Sequence, residues 1–195
     1  MITTAVLLLT ALALPGATAE GVSDSVSRAI RYRVDVPAPI QTVWSDWTDS
    51  ARVREWFARG SNIEPKPFGT YEILFAPEAP PGQRGAENNI VLAVQAPRML
   101  AFTWDAPPNL PEARKQRTSV VVRFEELSPD RTRVWFEQTG WGRGGEWDQA
   151  YDYFTNAWKV VLSLLHYRHT VGPVDWSSEL TAATLARHLR QVSRW

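Results

Sequence analysis

The sequence predicts an α+β fold in which one curved antiparallel β-sheet, of about six or seven strands, is closed by a long helix near the C-terminus. Three observations carry this. Trp147, Tyr151, Phe154, Trp158, Val161 and Leu165 recur at alternating steps of four and three across Glu146 to Thr170, the mark of a helix with one buried stripe. Most of the chain before that helix has period two, the spacing of strands with one face on a core. The connections between those segments are short, which favours antiparallel neighbours.

The first strand reads as Ser27 to Val36, where Ile30, Tyr32, Val34 and Val36 alternate with Arg31, Arg33 and Asp35. Pro37 and Pro39 break it, and Pro39 suits the first turn of a helix with Ile40, Val43, Trp44 and Trp47 on one side. Asp49 can cap a second short helix that turns Val53, Trp56 and Phe57 inward and ends at Gly60. Period two then takes over. Ile63 lies in a short strand, Tyr71, Ile73 and Phe75 share a face of the next, and Pro77 to Gly85 is a loop rich in turn residues. Asn89 to Gln95 and Leu100 to Asp105 follow, joined at Ala96 to Arg98. Thr118 to Leu127 and Thr132 to Gly140 form a further pair about the turn Ser128, Pro129, Asp130. Phe102, Trp104, Val120, Val122, Phe124, Val134 and Phe136 make one apolar face, which the long helix needs as its partner. Acidic Glu146, Asp148 and Asp152 open that helix, Arg168 and His169 close it, and Gly172 and Pro173 stop it. A weaker stripe, Ala182, Leu185, Leu189 and Val192, lies opposite Arg187, Arg190 and Arg194 and predicts a last helix. Such a helix packs on the domain or on another molecule, the second case allowing a homodimer.

Three segments follow from this pattern. Met1 to Ala19 reads as a signal peptide, because the apolar run Ala5 to Leu14 ends at Pro15 and Gly16 and is followed by Ala17, Thr18, Ala19 in the small-x-small order of a cleavage site. No Lys or Arg precedes the run. A run this short falls below the ~20 residues that span a bilayer, so the expectation is a periplasmic or secreted protein with no membrane span after signal removal. Residues 20–172 form one domain and 173–195 a helical tail. Lys plus Arg and Asp plus Glu are 21 each, so no overall field draws in nucleic acid. There is no cysteine and hence no disulfide framework. Ten tryptophans imply either a very aromatic core or an aromatic-lined cavity.

Several strings then point to a family. VWSDWTDSARVREWF (Val43 to Phe57), Gly69 with Tyr71, FTWD (Phe102 to Asp105) and GWGRGGEWDQAYDYFTNAWKVVLSLL (Gly140 to Leu165) stand in an order that resembles the SRPBCC, or START-like, superfamily. Within it they are most similar to the branch named for homology to the activator of the heat-shock-protein-90 ATPase, over about Ser27 to Thr170. The resemblance implies a helix-grip fold, a curved antiparallel sheet wrapped around the long helix with two short helices after the first strand. It also implies a cavity for lipids, polyketides or other apolar molecules, and in some relatives cyclase or dehydratase activity. The family name points to a chaperone partner, against which the signal segment argues.

The residues expected to line such a cavity are Tyr32, Tyr71, Phe75, Phe102, Trp104, Phe136, Gln138, Tyr151, Phe154 and Trp158, aromatic walls with a few polar groups. Aromatics at this spacing equally make a solid core. Gln138 follows Val134 and Phe136 on the inward face, where its amide either orients a ligand or sits at a rim satisfied by water or backbone. Tyr32, Tyr71 and Tyr151 can act as weak acids, but none has an evident base beside it. His166 and His169, three apart on the long helix, are too few for a metal site, and no metal or other cofactor is implied. The loop Gly140 to Gly145 reads as a turn or a gate, its anion-binding potential opposed by the acidic first turn that follows. Glu72, Glu87 and Asp105 fall at outward or edge positions, where solvation is expected. No G-x-S-x-G, Walker or dinucleotide motif is present. The leading expectation is an exported container for a small apolar or aromatic molecule. An acid–base enzyme of the cyclase, dehydratase or hydrolase type and a protein-interaction module are the alternatives.

Overall fold

The computed structural model of the protein describes residues 28–178 and 181–195. The expected signal segment at 1–19, the polar leader after it and Ser27 lie outside the described residues. The chain then runs β1 (Ile30–Val36), α1 (Ile40–Thr48), α2 (Ser50–Val53), β2 (Gly60–Ile63), β3 (Tyr71–Leu74), β4 (Gly85–Ala86), β5 (Val91–Gln95) and β6 (Met99–Trp104). It continues with α3 (Pro111–Arg114), β7 (Thr118–Ser128), β8 (Arg131–Thr139), α4 (Glu146–Thr170), α5 (Ala182–Leu189) and β9 (Val192–Ser193). No helix among the described residues is long and apolar enough to cross a membrane.

A six-stranded antiparallel sheet has the order β5-β6-β7-β8-β1-β9, and β2, β3 and β4 form a second sheet. The one sheet expected from the sequence is therefore split. Phe68, with φ at 62°, turns the chain out of the ladder just before β3. Contact survives through the Thr70–Ile90 bridge and hydrogen bonds from Phe68 N to Val91 O and from Tyr71 N to Asn89 O, each 2.8 Å. In the larger sheet the register sets Tyr32 opposite Phe136 and Val34 opposite Val134, then Phe136 opposite Val122 and Val120 opposite Phe102. One face is thus apolar from strand to strand, and α1 and α4 cover it.

The helices are held as their sequences require. Asp49 caps α2, accepting from Ala51 N at 2.7 Å and Arg52 N at 3.2 Å. That helix is shorter than expected. Trp56 and Phe57 lie in the turns after it yet are fully buried, and Gly60 opens β2, where a Cβ would come within 3.2 Å of Leu74 and Pro77. On α4 the buried row is Ala150, Phe154, Trp158, Leu162 and Leu165, so Leu162 replaces Val161 in the expected stripe. Trp147 and Tyr151 are only half-buried, because both pack sideways on Trp141, at 6.4 and 5.2 Å between ring centroids. The Gly140 to Gly145 loop is irregular, with Gly140, Gly144 and Gly145 at positive φ. Its Gly142 lies against the Trp147 ring, where a Cβ would stand 2.5 Å away. The last helix also differs from expectation, since Val192 leaves it to pair with Val34 of β1. The tail thus packs on the domain, α5 against α4 and β9 at the β1 edge.

Aromatic rings fill the middle. Trp47 meets Trp56, Phe57, Phe102 and Phe124 at centroid distances of 5.1 to 6.5 Å. Its Nε1 is buried without a hydrogen-bond partner. Replacing Trp47 by Ala is expected to cost about 3–5 kcal/mol through the cavity left behind. Trp47→Phe is expected to cost under about 2 kcal/mol, because it also removes an unsatisfied donor. Urea-unfolding midpoints of the two variants measure both.

Candidate functional site

A cleft of about 100 Å³, half-open to solvent, lies at the edge of the aromatic core between α4 and the rim made by β4 and the segment after β6. Tyr153, Phe154, Ala157, Trp158 and Val161 of α4 form one wall. Phe57, Phe75, Ala86, Trp104 and Pro107 face them, with Asp105 and Arg114 as the charged members. Spacing along the helix explains the first wall, because positions three and four apart share a face. The second wall depends on long-range contacts. In particular α3, which has no clear sequence signal, is fixed by Glu146 of α4, whose Oε2 accepts from Glu112 N at 2.7 Å and Ala113 N at 3.0 Å. That capping places Arg114 beside the cleft.

Of the residues expected to line a cavity, Phe75, Trp104, Phe154 and Trp158 border this cleft. Phe75 is 46% exposed, not inward like Tyr71 and Ile73, since β3 ends at Leu74 and the alternation lapses there. Tyr32, Tyr71, Phe102, Phe136, Gln138 and Tyr151 lie elsewhere, most of them in the packed core. Tyr71 stacks on Phe102 at 4.0 Å, and Phe136 meets Trp158 at a tilt, 4.3 Å between centroids. The three phenols all donate to backbone carbonyls: Tyr32 to Thr155 at 2.7 Å, Tyr71 to Trp47 at 3.1 Å and Tyr151 to Ala29 at 3.2 Å. Burial also pushes the Tyr71 phenol well above its usual range.

Gln138 is fully buried, not at a rim, and both ends of its amide are used. Its Oε1 accepts from Trp158 Nε1 at 2.6 Å, and its Nε2 donates to Thr118 Oγ1 at 2.8 Å. Thr118 in turn donates to the Trp104 carbonyl at 3.0 Å. This chain holds both tryptophans of the cleft in place, a role that inward alternation alone does not disclose.

Two carboxylates expected in solvent are buried instead, Glu87 at 2% and Asp105 at 3% exposure. Asp105 Oδ1 accepts from Asn89 Nδ2 at 3.0 Å, and its Oδ2 lies 2.7 Å from Arg114 Nη1. That guanidinium donates to the carbonyls of Ala106 and Gly85, so no well-aligned hydrogen bond reaches Oδ2. Burial therefore raises the Asp105 pKa against the pull of Asn89 and Arg114. At Glu87 burial is the largest single influence, yet the amides of Gly82 and Arg84 and the Arg84 side chain outweigh it and lower the pKa. Asp105 meets Asn89 and Arg114 through the tertiary fold, whereas the partners of Glu87 come from its own loop, Gly82 and Arg84, folded back on the carboxylate. Glu72 is half-buried and accepts from Asn88 N at 2.9 Å.

His166 and His169 turn to different partners. His169 Nε2 lies 2.5 Å from Asp46 Oδ2, a carboxylate that also receives Arg52, while His166 faces His188. No group of three or more His, Asp or Glu suited to a metal occurs among the described residues.

Among solved structures the chain is similar to CalU16 from Micromonospora echinospora, with a TM-score of 0.57, 20% identity and coverage of 84% of this chain and 83% of that one. It is similar to an HSP90 activator from Plasmodium falciparum, with a TM-score of 0.56, 13% identity and coverage of 73% and 94%. A third similar structure is the Aha1 dimer from Colwellia psychrerythraea, with a TM-score of 0.56, 15% identity and coverage of 74% and 98%. At these identities the likeness is one of fold, the helix grip. No curated protein matches the sequence. Residues 37–167, from the end of β1 through most of α4, match the family described as Activator of Hsp90 ATPase homolog 1-like protein, and the chain belongs to that family.

Proposed function

We propose that this protein binds a small apolar or aromatic molecule in the cleft beside α4, and that it does so after export, in the periplasm or outside the cell. The cleft is the observation that supports the first part: a half-open, ring-lined hollow with one charged pair in its wall. Its volume sets the scale. A cavity of about 150 Å³ takes a benzene ring, so about 100 Å³ with an open mouth suits one ring or the end of a longer molecule. The export reading rests on the small-x-small arrangement after the apolar run in residues 1–19.

Acid–base chemistry in the same cleft has less support. Asp105 is engaged by Asn89 and Arg114, and the three inner phenols donate to backbone carbonyls. A second reading, action on a chaperone ATPase, draws on the family description and on the solved neighbour described as an HSP90 activator. Adding the protein to purified Hsp90 and following ATP turnover tests it, and an unchanged rate removes it.

Titration with toluene, indole or naphthalene, read by tryptophan fluorescence and calorimetry, is expected to saturate with Trp104 and Trp158 as reporters. Ala157→Phe, which fills the cleft from α4, is expected to weaken that binding about tenfold or more with little change in melting temperature. Absence of saturable binding by any of these probes sinks the container reading. A 13C carboxyl titration is expected to place Asp105 above the ordinary aspartate value of 3.8 and Asp35, held by Arg133 and Arg131, below it. The signs are opposite. Asp105 favours the folded state most below 3.8 and loses that contribution as pH rises through its folded value. Asp35 contributes above 3.8 and loses its part as pH falls through its own.

A further inference from the structure

Away from the cleft, a pair of histidines, one buried and one half-buried, ties the C-terminal tail to the domain. His166 Nδ1 on α4 and His188 Nδ1 on α5 are 2.9 Å apart, and His188 is 1% exposed. Two facing ring nitrogens form a bond only when one carries a proton and the other does not. Arg187 Nε donates to His188 Nε2 at 3.3 Å, which makes that nitrogen an acceptor. The hydrogen-bond network therefore assigns the single proton of neutral His188 to Nδ1, donating to His166. The ladder from Arg187 through His188 to His166 is then full. One more proton on either ring sets a donor against a donor, at Nδ1–Nδ1 or at Arg187.

The surroundings add to this. The charged groups bearing on the pair are Arg187 from α5 and His169 from α4, and Asp46, the carboxylate near His169, already receives Arg52. The aromatic neighbour of His188 is Tyr167, at 5.2 Å between ring centroids. The tail is also held by buried Leu185 and Val192, by the two-residue pairing of β9 with β1, by Arg33 Nε donating to Ser193 Oγ at 3.1 Å, by Arg194 over the Tyr32 ring, and by Trp195, whose Nε1 donates to Tyr32 O at 3.0 Å and whose ring meets Trp135 edge-on at 5.3 Å.

We propose that the His166–His188 pair is a proton-operated latch, which holds α5 and β9 on the domain at neutral pH and releases them, baring the β1 edge, in mildly acidic surroundings. Both imidazoles lie below the usual 6.5, first because of burial and then because of neighbouring cations. The docked tail thus takes up protons less readily than the released one. Docking has its full strength above 6.5 and weakens as pH falls below that value.

Hydrogen exchange of the full chain at pH 7.5 and 5.5, corrected for intrinsic rates and read by mass spectrometry, tests the latch. Protection of 183–195 is expected to fall about tenfold or more at the lower pH, while β7 and β8 keep theirs. The double substitution His166→Gln and His188→Gln is expected to remove that dependence on pH. A wild-type tail equally protected at both values overturns the proposal, as does a pH-dependent loss of the same size in the double variant. A double variant whose tail is free at both values shows the pair to be what holds it, and supports the proposal.

Discussion

The position of Trp158 constrains the rest of the molecule. Its indole is buried between α4 and the sheet, with Phe136, Trp104 and Phe57 around it at 4.3 to 5.8 Å between centroids, and its N–H is fixed on Gln138. A buried amide with one partner missing would cost about 1–3 kcal/mol. Here the chain Trp158, Gln138, Thr118, Trp104 carbonyl leaves neither end of Gln138 open. Helix and sheet are therefore locked in one rotation, and the volume a larger ligand would need is taken up by rings. What remains is the small cleft on the flank of the same indole.

The two buried acidic centres act in the same sense. Asp46, fully buried, joins Arg52 at the start of the domain to His169 at the end of α4. Asp105 and Arg114 join β6 to α3. Neither is a source of large net stability, since desolvation offsets much of the attraction of a buried pair. Their value is geometric. Each fixes where a helix end sits relative to the strands, and the second sets the rim of the cleft.

Much of this was legible in the sequence, for a physical reason. Period two in β1, β7 and β8 and the aromatic stripe of α4 report burial directly, because a strand or helix facing a core must repeat its apolar residues. Asp49 announced its cap, and the family strings fixed the order of elements. The site was less legible. Phe154, Trp158 and Trp104 were found because they belong to those stripes, whereas Phe57, Ala157 and Arg114 were not, since they reach the cleft through a turn, a small side chain and a single-turn helix capped from a distance. Gln138 could be identified as a buried amide, but not the partners that absorb it. Asp105 was misplaced because only tertiary contacts supply the groups that make its burial tolerable, and Glu87 because the loop at Gly82 and Arg84 folds back on it.

The two-residue strand β9 has a consequence for colloidal behaviour. Sheets that end in a bare strand offer a row of free N–H and C=O groups to any other chain, and proteins guard against this with short or covered edges. β9 lies outside the family segment 37–167 and covers Arg33 and Val34 of β1. A chain that stopped after α4 would present β1 uncovered, and crowding would turn it towards edge-to-edge association. The tail therefore also serves as a guard against self-assembly, built from the two residues that pair with Arg33 and Val34.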